Sequence, residues 1–355
     1  MSGTDVRRVA PGVRLGGVSF PWRPWPLLVT LLLAAAAFLV FCLSIGAGDF
    51  PIALPRVIAT LAGRGERVDE FVIMDLRLPR ALAGLVVGVA LGTSGAITQS
   101  IARNPLASPD VLGITQGAGA VAVLLLTVSS GAGAAVAGSV GVPAAALAGG
   151  LGTGLLVYLL AWRRGIDGFR LILIGISVSA LMQALTTWLL VTADITDVAR
   201  AQAWLIGSLD GRGWAEVKVA LGCTLVLLVV VAGAAFQFRP LHFGDEVAAG
   251  LGVRYSLVRA VMLLCAVLLA GAAVSAAGPV PFVALVAPQA AMRLARCATP
   301  PLAASGLLGA LLLIGADLVA RTVLPVGLPV GVVTAAIGGP FLVYLLVRAN
   351  LRRVA

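Results

Sequence analysis

The chain has 355 residues, 60% of them apolar and 11% charged, with a mean hydropathy of +1.07. A water-soluble core cannot absorb that much apolar surface, so a soluble enzyme or binding domain is excluded. The formal charge of +10 comes from 25 basic against 15 acidic residues, Lys218 being the only lysine. The arginines lie scattered between apolar runs and form no stripe, which excludes a nucleic-acid surface and points to membrane topology.

Residues 1–25 form a polar N-terminal arm, and the apolar run behind it is too long for a signal h-region, so it is expected to stay as a membrane helix. A bilayer core needs about 20 predominantly apolar residues per helix, with every backbone group satisfied inside the segment. About ten stretches qualify. In chain order they are Pro26 to Gly46, Ala81 to Ile101, Val111 to Ser130, Ala134 to Trp162, Leu171 to Val191, Trp214 to Phe236, Tyr255 to Gly278, Phe282 to Ala295, Leu302 to Leu324 and Leu328 to Val347. The eighth is short and interrupted by Pro288. The expected fold is an all-α polytopic bundle, with one membrane domain over residues 26–348 and a short tail over 349–355.

Orientation follows from the arginines near the span ends, which mark the cytoplasmic side. With both termini inside, 16 of the 25 basic residues are cytoplasmic, among them Arg103, Arg163, Arg164, Arg170, Arg293 and Arg296. Two hydrophilic segments then stand out. Residues 49–80 form an external stretch with both charge signs, and residues 239–254 form an internal one. The internal stretch contains Gly244-Asp245-Glu246-Val247-Ala248-Ala249-Gly250-Leu251-Gly252-Val253, which reads as a short amphipathic helix ended by glycine. By itself it is a solvated loop helix.

The second span carries Gly84, Gly88, Gly92 and Gly95 at helical spacing, a small-residue stripe that lets another backbone approach closely. Thr98-Gln99-Ser100, Arg103-Asn104-Pro105-Leu106-Ala107 and Ser108-Pro109-Asp110-Val111-Leu112-Gly113 follow, and the two prolines force a break before the next helix. Polar groups at such depth must be buried in protein or line a cavity. Further on come Gly278-Pro279-Val280-Pro281-Phe282, Leu285-Val286-Ala287-Pro288, Ala316-Asp317-Leu318-Val319-Ala320-Arg321 and Leu328-Pro329-Val330-Gly331-Val332-Val333-Thr334.

The block from Arg77 to Gly119 resembles the signature of the FecCD-type permeases, the membrane subunits of ABC importers for iron-siderophores, haem and vitamin B12. The later motifs follow that family's C-terminal pattern in order, so the resemblance covers the chain from about Asp49 onward. Gln289 stands where the family usually has His, and Ala298-Thr299-Pro300 replaces its common Asp-His-Arg. Pro288-Gln289, Ser108-Pro109-Asp110 and the run from Trp204 to Leu209 are similar to the catecholate branch, such as ferric-enterobactin permeases. That favours a ferric siderophore over haem or vitamin B12 as cargo.

The resemblance implies a type II ABC importer permease in the cytoplasmic membrane. It pairs with a second permease, a paralogue rather than an identical copy, and with two cytoplasmic ATPases that hold the ATP and Mg. An extracytoplasmic siderophore-binding protein delivers the cargo. It makes residues 239–254 the ATPase coupling segment, through Gly244, Asp245, Glu246, Leu251 and Gly252. Arg77, Arg80 and Arg321 match arginines that dock acidic residues of the binding protein, although an arginine at a span end is equally an interfacial anchor. A pathway along the permease dimer interface would draw on Gln99, Asn104, Pro105, Gln116 and Gln183.

The remaining chemistry is negative. No G-x-x-x-x-G-K-[ST] phosphate loop exists, so ATP must be bound by another polypeptide, and the chain is expected to be a non-catalytic subunit with no cofactor of its own. His242 is the only histidine, which excludes a His-based metal cluster or His-centred triad. Cys42, Cys223, Cys265 and Cys297 lack paired spacing and read as small buried hydrophobes. An intramembrane enzyme would need a concentrated polar site, and an ion-coupled secondary transporter would need midplane carboxylates. Only Asp317 approaches the latter, and its spacing of four to Arg321 permits a plain intrahelical ion pair.

Overall fold

The computed structural model describes residues 12–15, 18–21, 24–48, 50–127, 132–162, 168–238, 240, 250, 252, 254–324 and 327–354. A small antiparallel hairpin lies in the N-terminal arm, strand β1 (Gly12–Leu15) pairing with β2 (Val18–Pro21) in the register Gly12 to Pro21. The arm reads as polar sequence only, although Gly16-Gly17 between Val13-Arg14-Leu15 and Val18-Ser19-Phe20 is a two-residue hairpin signal. Every other regular element among the described residues is helical.

The helices are α1 (Pro24–Gly46), α2 (Leu54–Leu61), α3 (Arg67–Glu70), α4 (Leu78–Ala102), α5 (Ile114–Thr127), α6 (Ala132–Ala161), α7 (Gly168–Thr192), α8 (Ile195–Leu205), α9 (Trp214–Phe238), α10 (Tyr255–Ala277), α11 (Val283–Leu294), α12 (Leu302–Thr322) and α13 (Val330–Val354). A π-helical segment, Phe71–Arg77, joins α3 to α4, so that Arg67–Ala102 is one helix of 36 residues. Among the described residues eight helices are long and apolar enough to cross a membrane, and α5 and α11 are shorter apolar helices. All ten lie where the sequence places a span. Helices α2, α3 and the π segment fill most of the external stretch 49–80, which the sequence presents as a loop. Helix α13 runs on through the residues assigned to a C-terminal tail. Helix α6 bends at Gly141 (φ 72), two residues ahead of Pro143, which leaves Gly141–Ala161 as the spanning piece.

Helix α4 is the hub, packed against α12, α10, α11 and α9 and buried along nearly all its length. Its glycine stripe explains the packing. A Cβ on Gly88 would stand 2.5 Å from Ala310 Cα and Gly309 O, one on Gly92 would collide with the Ser305 carbonyl, and one on Gly95 with the Ala284 carbonyl. Without side chains at these positions, α4 and α12 touch backbone to backbone, and dispersion contacts accumulate where no hydrophobic drive exists in lipid. Helices α7 and α9 instead show mostly exposed apolar side chains.

The two short helices have a common cause. Gly168 lies against Ala102, Gly175 against Leu112, and Gly113 against Ser179, so residues 103–113 climb alongside α7 to about its midpoint before α5 begins. From the opposite end, Gly278 lies beside Gly207, yet Ala284 already touches Gly95 near the far end of α4. Residues 279–282 therefore descend unwound, and α11 completes the crossing. Irregular backbone is tolerated at such depth only inside protein, and Ala107, Ser108, Leu112 and Val280 are all buried.

Candidate functional site

Four element ends converge at one end of the bundle: the C-terminus of α1, the N-terminus of α4, the C-terminus of α12 and the turn Ser208–Gly213 between α8 and α9. A helix C-terminus leaves carbonyls unpaired and carries partial negative charge, so it attracts cations. Arg77 donates from Nη1 to the Ile45 and Gly46 carbonyls at 3.1 Å each and from Nη2 to the Phe50 carbonyl. Arg321 donates to the Ala47 carbonyl at 2.9 Å and to both the carbonyl and the hydroxyl of Ser44. Gly48 (φ 151) fits between them, where a Cβ would come within 3.0 Å of Arg77 Nη2.

Arg80 is held differently. Its Nε and Nη2 grip the Asp317 carboxylate at 2.9 to 3.2 Å, while Nη1 reaches Asp210 Oδ1 at 2.7 Å. The Asp317 side chain is 2% exposed and that of Asp210 79%. Arg321 Nε also stands 3.3 Å from Asp317, the intrahelical pair that the spacing of four permits. The structure thus brings Arg77, Arg80 and Arg321 into one rim, with Asp317 between two of them. Sequence reading missed Ser44, Gly48 and Asp210, since short turns around glycines carry no signal for long-range partners.

Deeper in the bundle Gln99 and Gln289 are both buried and meet directly. Gln289 Nε2 donates to Gln99 Oε1 at 2.8 Å, and Gln99 Nε2 donates to the Leu285 carbonyl at 3.1 Å, tying α4 to α11. The other candidate pathway residues do not join them. Asn104 organises the climbing loop, its Oδ1 accepting from the Leu106 amide at 2.9 Å, and Pro105 is exposed. Gln116 is half-buried on α5, and Gln183 is exposed on α7. At the tip of the loop, the Asp110 carboxylate accepts from the Thr115 hydroxyl, and Ser179 Oγ lies 3.4 Å from the Asp110 carbonyl.

Of the coupling residues, Gly244, Asp245, Glu246 and Leu251 lie outside the described residues, as does His242. Gly252 has φ 76, the left-handed conformation of a helix-ending glycine. Of the four cysteines only Cys265 is fully buried. Among the described residues no group of three or more His, Cys, Asp or Glu is placed to hold a metal ion.

A model of the FecCD transport family matches residues 35–348. The ferric enterobactin transport system permease protein FepG of Escherichia coli (strain K12) is 41% identical over 328 residues, 92% of this chain and 98% of that protein. The iron(3+)-hydroxamate import system permease protein FhuG of Bacillus subtilis (strain 168) is 36% identical over 333 residues, 92% of this chain and 98% of its own length. Among solved structures, an inward-facing conformation of a metal-chelate type ABC transporter superposes with a TM-score of 0.79 at 25% identity, covering 91% of this chain and 99% of that one.

Proposed function

This chain belongs to the FecCD transport family, and from that premise we propose that it is the transmembrane permease subunit of an ATP-driven importer of ferric siderophores, with a catecholate chelate as cargo. The observation that carries the reading is the similarity to the ferric enterobactin permease along 92% of the chain. Pro288-Gln289 and the run from Trp204 to Leu209 support it. Energy comes from two cytoplasmic ATPases, because the chain has no phosphate loop. The second permease of the complex is a paralogue.

The surplus of arginine on the opposite face assigns the rim of Arg77, Arg80 and Arg321 to the external side. There it receives the acidic residues of an extracytoplasmic binding protein. Residues 239–254 meet the ATPase on the cytoplasmic side.

Uptake of labelled ferric siderophores by cells with and without this gene tests the cargo. Loss of ferric catecholate uptake on deletion, with recovery on complementation, is the expected result. Unchanged catecholate uptake with lost hydroxamate uptake would reassign the cargo to the class that FhuG is named for. Replacing Glu246 and Leu251 together should leave the protein inserted while ATP hydrolysis no longer drives uptake. Normal uptake in that double variant would remove the coupling role.

A further inference from the structure

We propose that Asp210 is an intramolecular stand-in for a carboxylate of the binding protein, occupying the outer edge of Arg80 until docking displaces it. The proposal rests on the reading of the rim as a docking surface. Its basis is the unequal way the three arginines are satisfied. Arg77 and Arg321 spend donors on backbone carbonyls of the α1 terminus, which cannot swing away. The inner edge of Arg80 is fixed on Asp317, a 2% exposed carboxylate whose loss would strand a cation. Only Nη1 faces a partner that water can also satisfy, because the Asp210 side chain is 79% exposed.

The turn around Asp210 is built so that the side chain can leave while the backbone stays. Leu209 is buried against Gly84, the Ser208 amide donates to the Ala277 carbonyl at 2.9 Å, and the Asp210 amide donates to Ser208 Oγ at 3.0 Å. Exposed ion pairs contribute little net free energy, so exchanging one carboxylate for another on Nη1 is nearly isoenergetic. Arg80 is then never unpaired, before or after docking, and the released Asp210 is taken up by water. Asp210 therefore tempers affinity and favours release of the binding protein once cargo has passed.

The test measures affinity of the binding protein for the complete transporter in nanodiscs across a salt series. Asp210→Asn should tighten binding by about two- to fivefold at low salt, the span expected for one exposed pair, with the gain fading as salt rises. Asp194→Asn removes an equal charge from the exposed α7–α8 turn and should leave affinity unchanged. Equal tightening in both variants would reduce the effect to net charge and overturn the stand-in. No tightening in Asp210→Asn, with Arg80→Gln still weakening binding, would overturn it while leaving the docking rim intact. Binding unaffected by Arg80→Gln in a folded transporter would remove the docking reading itself and the proposal with it. In the Arg80→Gln background, Asp210→Asn should add nothing, and an additive gain would also count against exchange.

Discussion

Asp317 is the residue on which the rim depends, because it neutralises Arg80 across the helix interface and Arg321 one turn along its own helix. Removing one partner of a buried pair costs far more than the pair itself contributes, since the survivors keep their charge without their solvent. Asp317→Asn should lower unfolding stability in detergent by about 3 to 5 kcal/mol, whereas Asp210→Asn should cost no more than about 1 kcal/mol. Similar losses for the two would contradict the division into a buried and an exchangeable partner. The residue types of the rim were legible in the sequence, as arginines at span ends, and so was the spacing of Asp317 to Arg321. Their targets were not, because hydrogen bonds across 237 to 277 residues, such as Arg80 to Asp317 and Arg321 to Ser44, leave no local trace.

At the scale of elements the glycines separate two roles that look alike in sequence. Gly95 faces the Ala284 carbonyl, while a Cβ on Gly315 of α12 would meet nothing within 4 Å. Gly95→Ala should force α4 from α11 and destabilise by about 1 to 3 kcal/mol. Gly315→Ala should stabilise by about 0.5 to 1 kcal/mol through helix propensity alone. Thermal unfolding of the two purified variants in one detergent checks the pair, and a loss in both would mean that the helix face has been misassigned. The stripe of Gly84, Gly88, Gly92 and Gly95 was readable because helical spacing is periodic. The half-spans were not. Val111 and Leu112 are as apolar in the unwound climb as in a helix, so the third span is read from Val111, whereas α5 begins at Ile114. Helices α2 and α3 escaped for the converse reason, their charges of both signs reading as an aqueous loop.

For the whole molecule, the sequence predicts ten crossings and one partition of the ends, and the structure gathers those ends accordingly. The α1 C-terminus, Arg77, Asp210 and Arg321 meet at one pole, while Trp25, Leu294 and Arg296 meet at the other, with Arg296 4.7 Å over the Trp25 ring. Which pole is cytoplasmic follows from arginine number alone, since no contact inside a bundle records the direction of the membrane. Purified chain without partners should show no ATP hydrolysis, as it has no phosphate loop, and robust turnover in a contaminant-free preparation would contradict the subunit role. The continuous helix Arg67–Ala102 has a further consequence. Its 36 residues make a rod about 54 Å long, longer than the hydrocarbon core is thick by roughly 20 Å. The same helix thus carries Arg77 and Arg80 at one pole and the buried Gln99 near its other end.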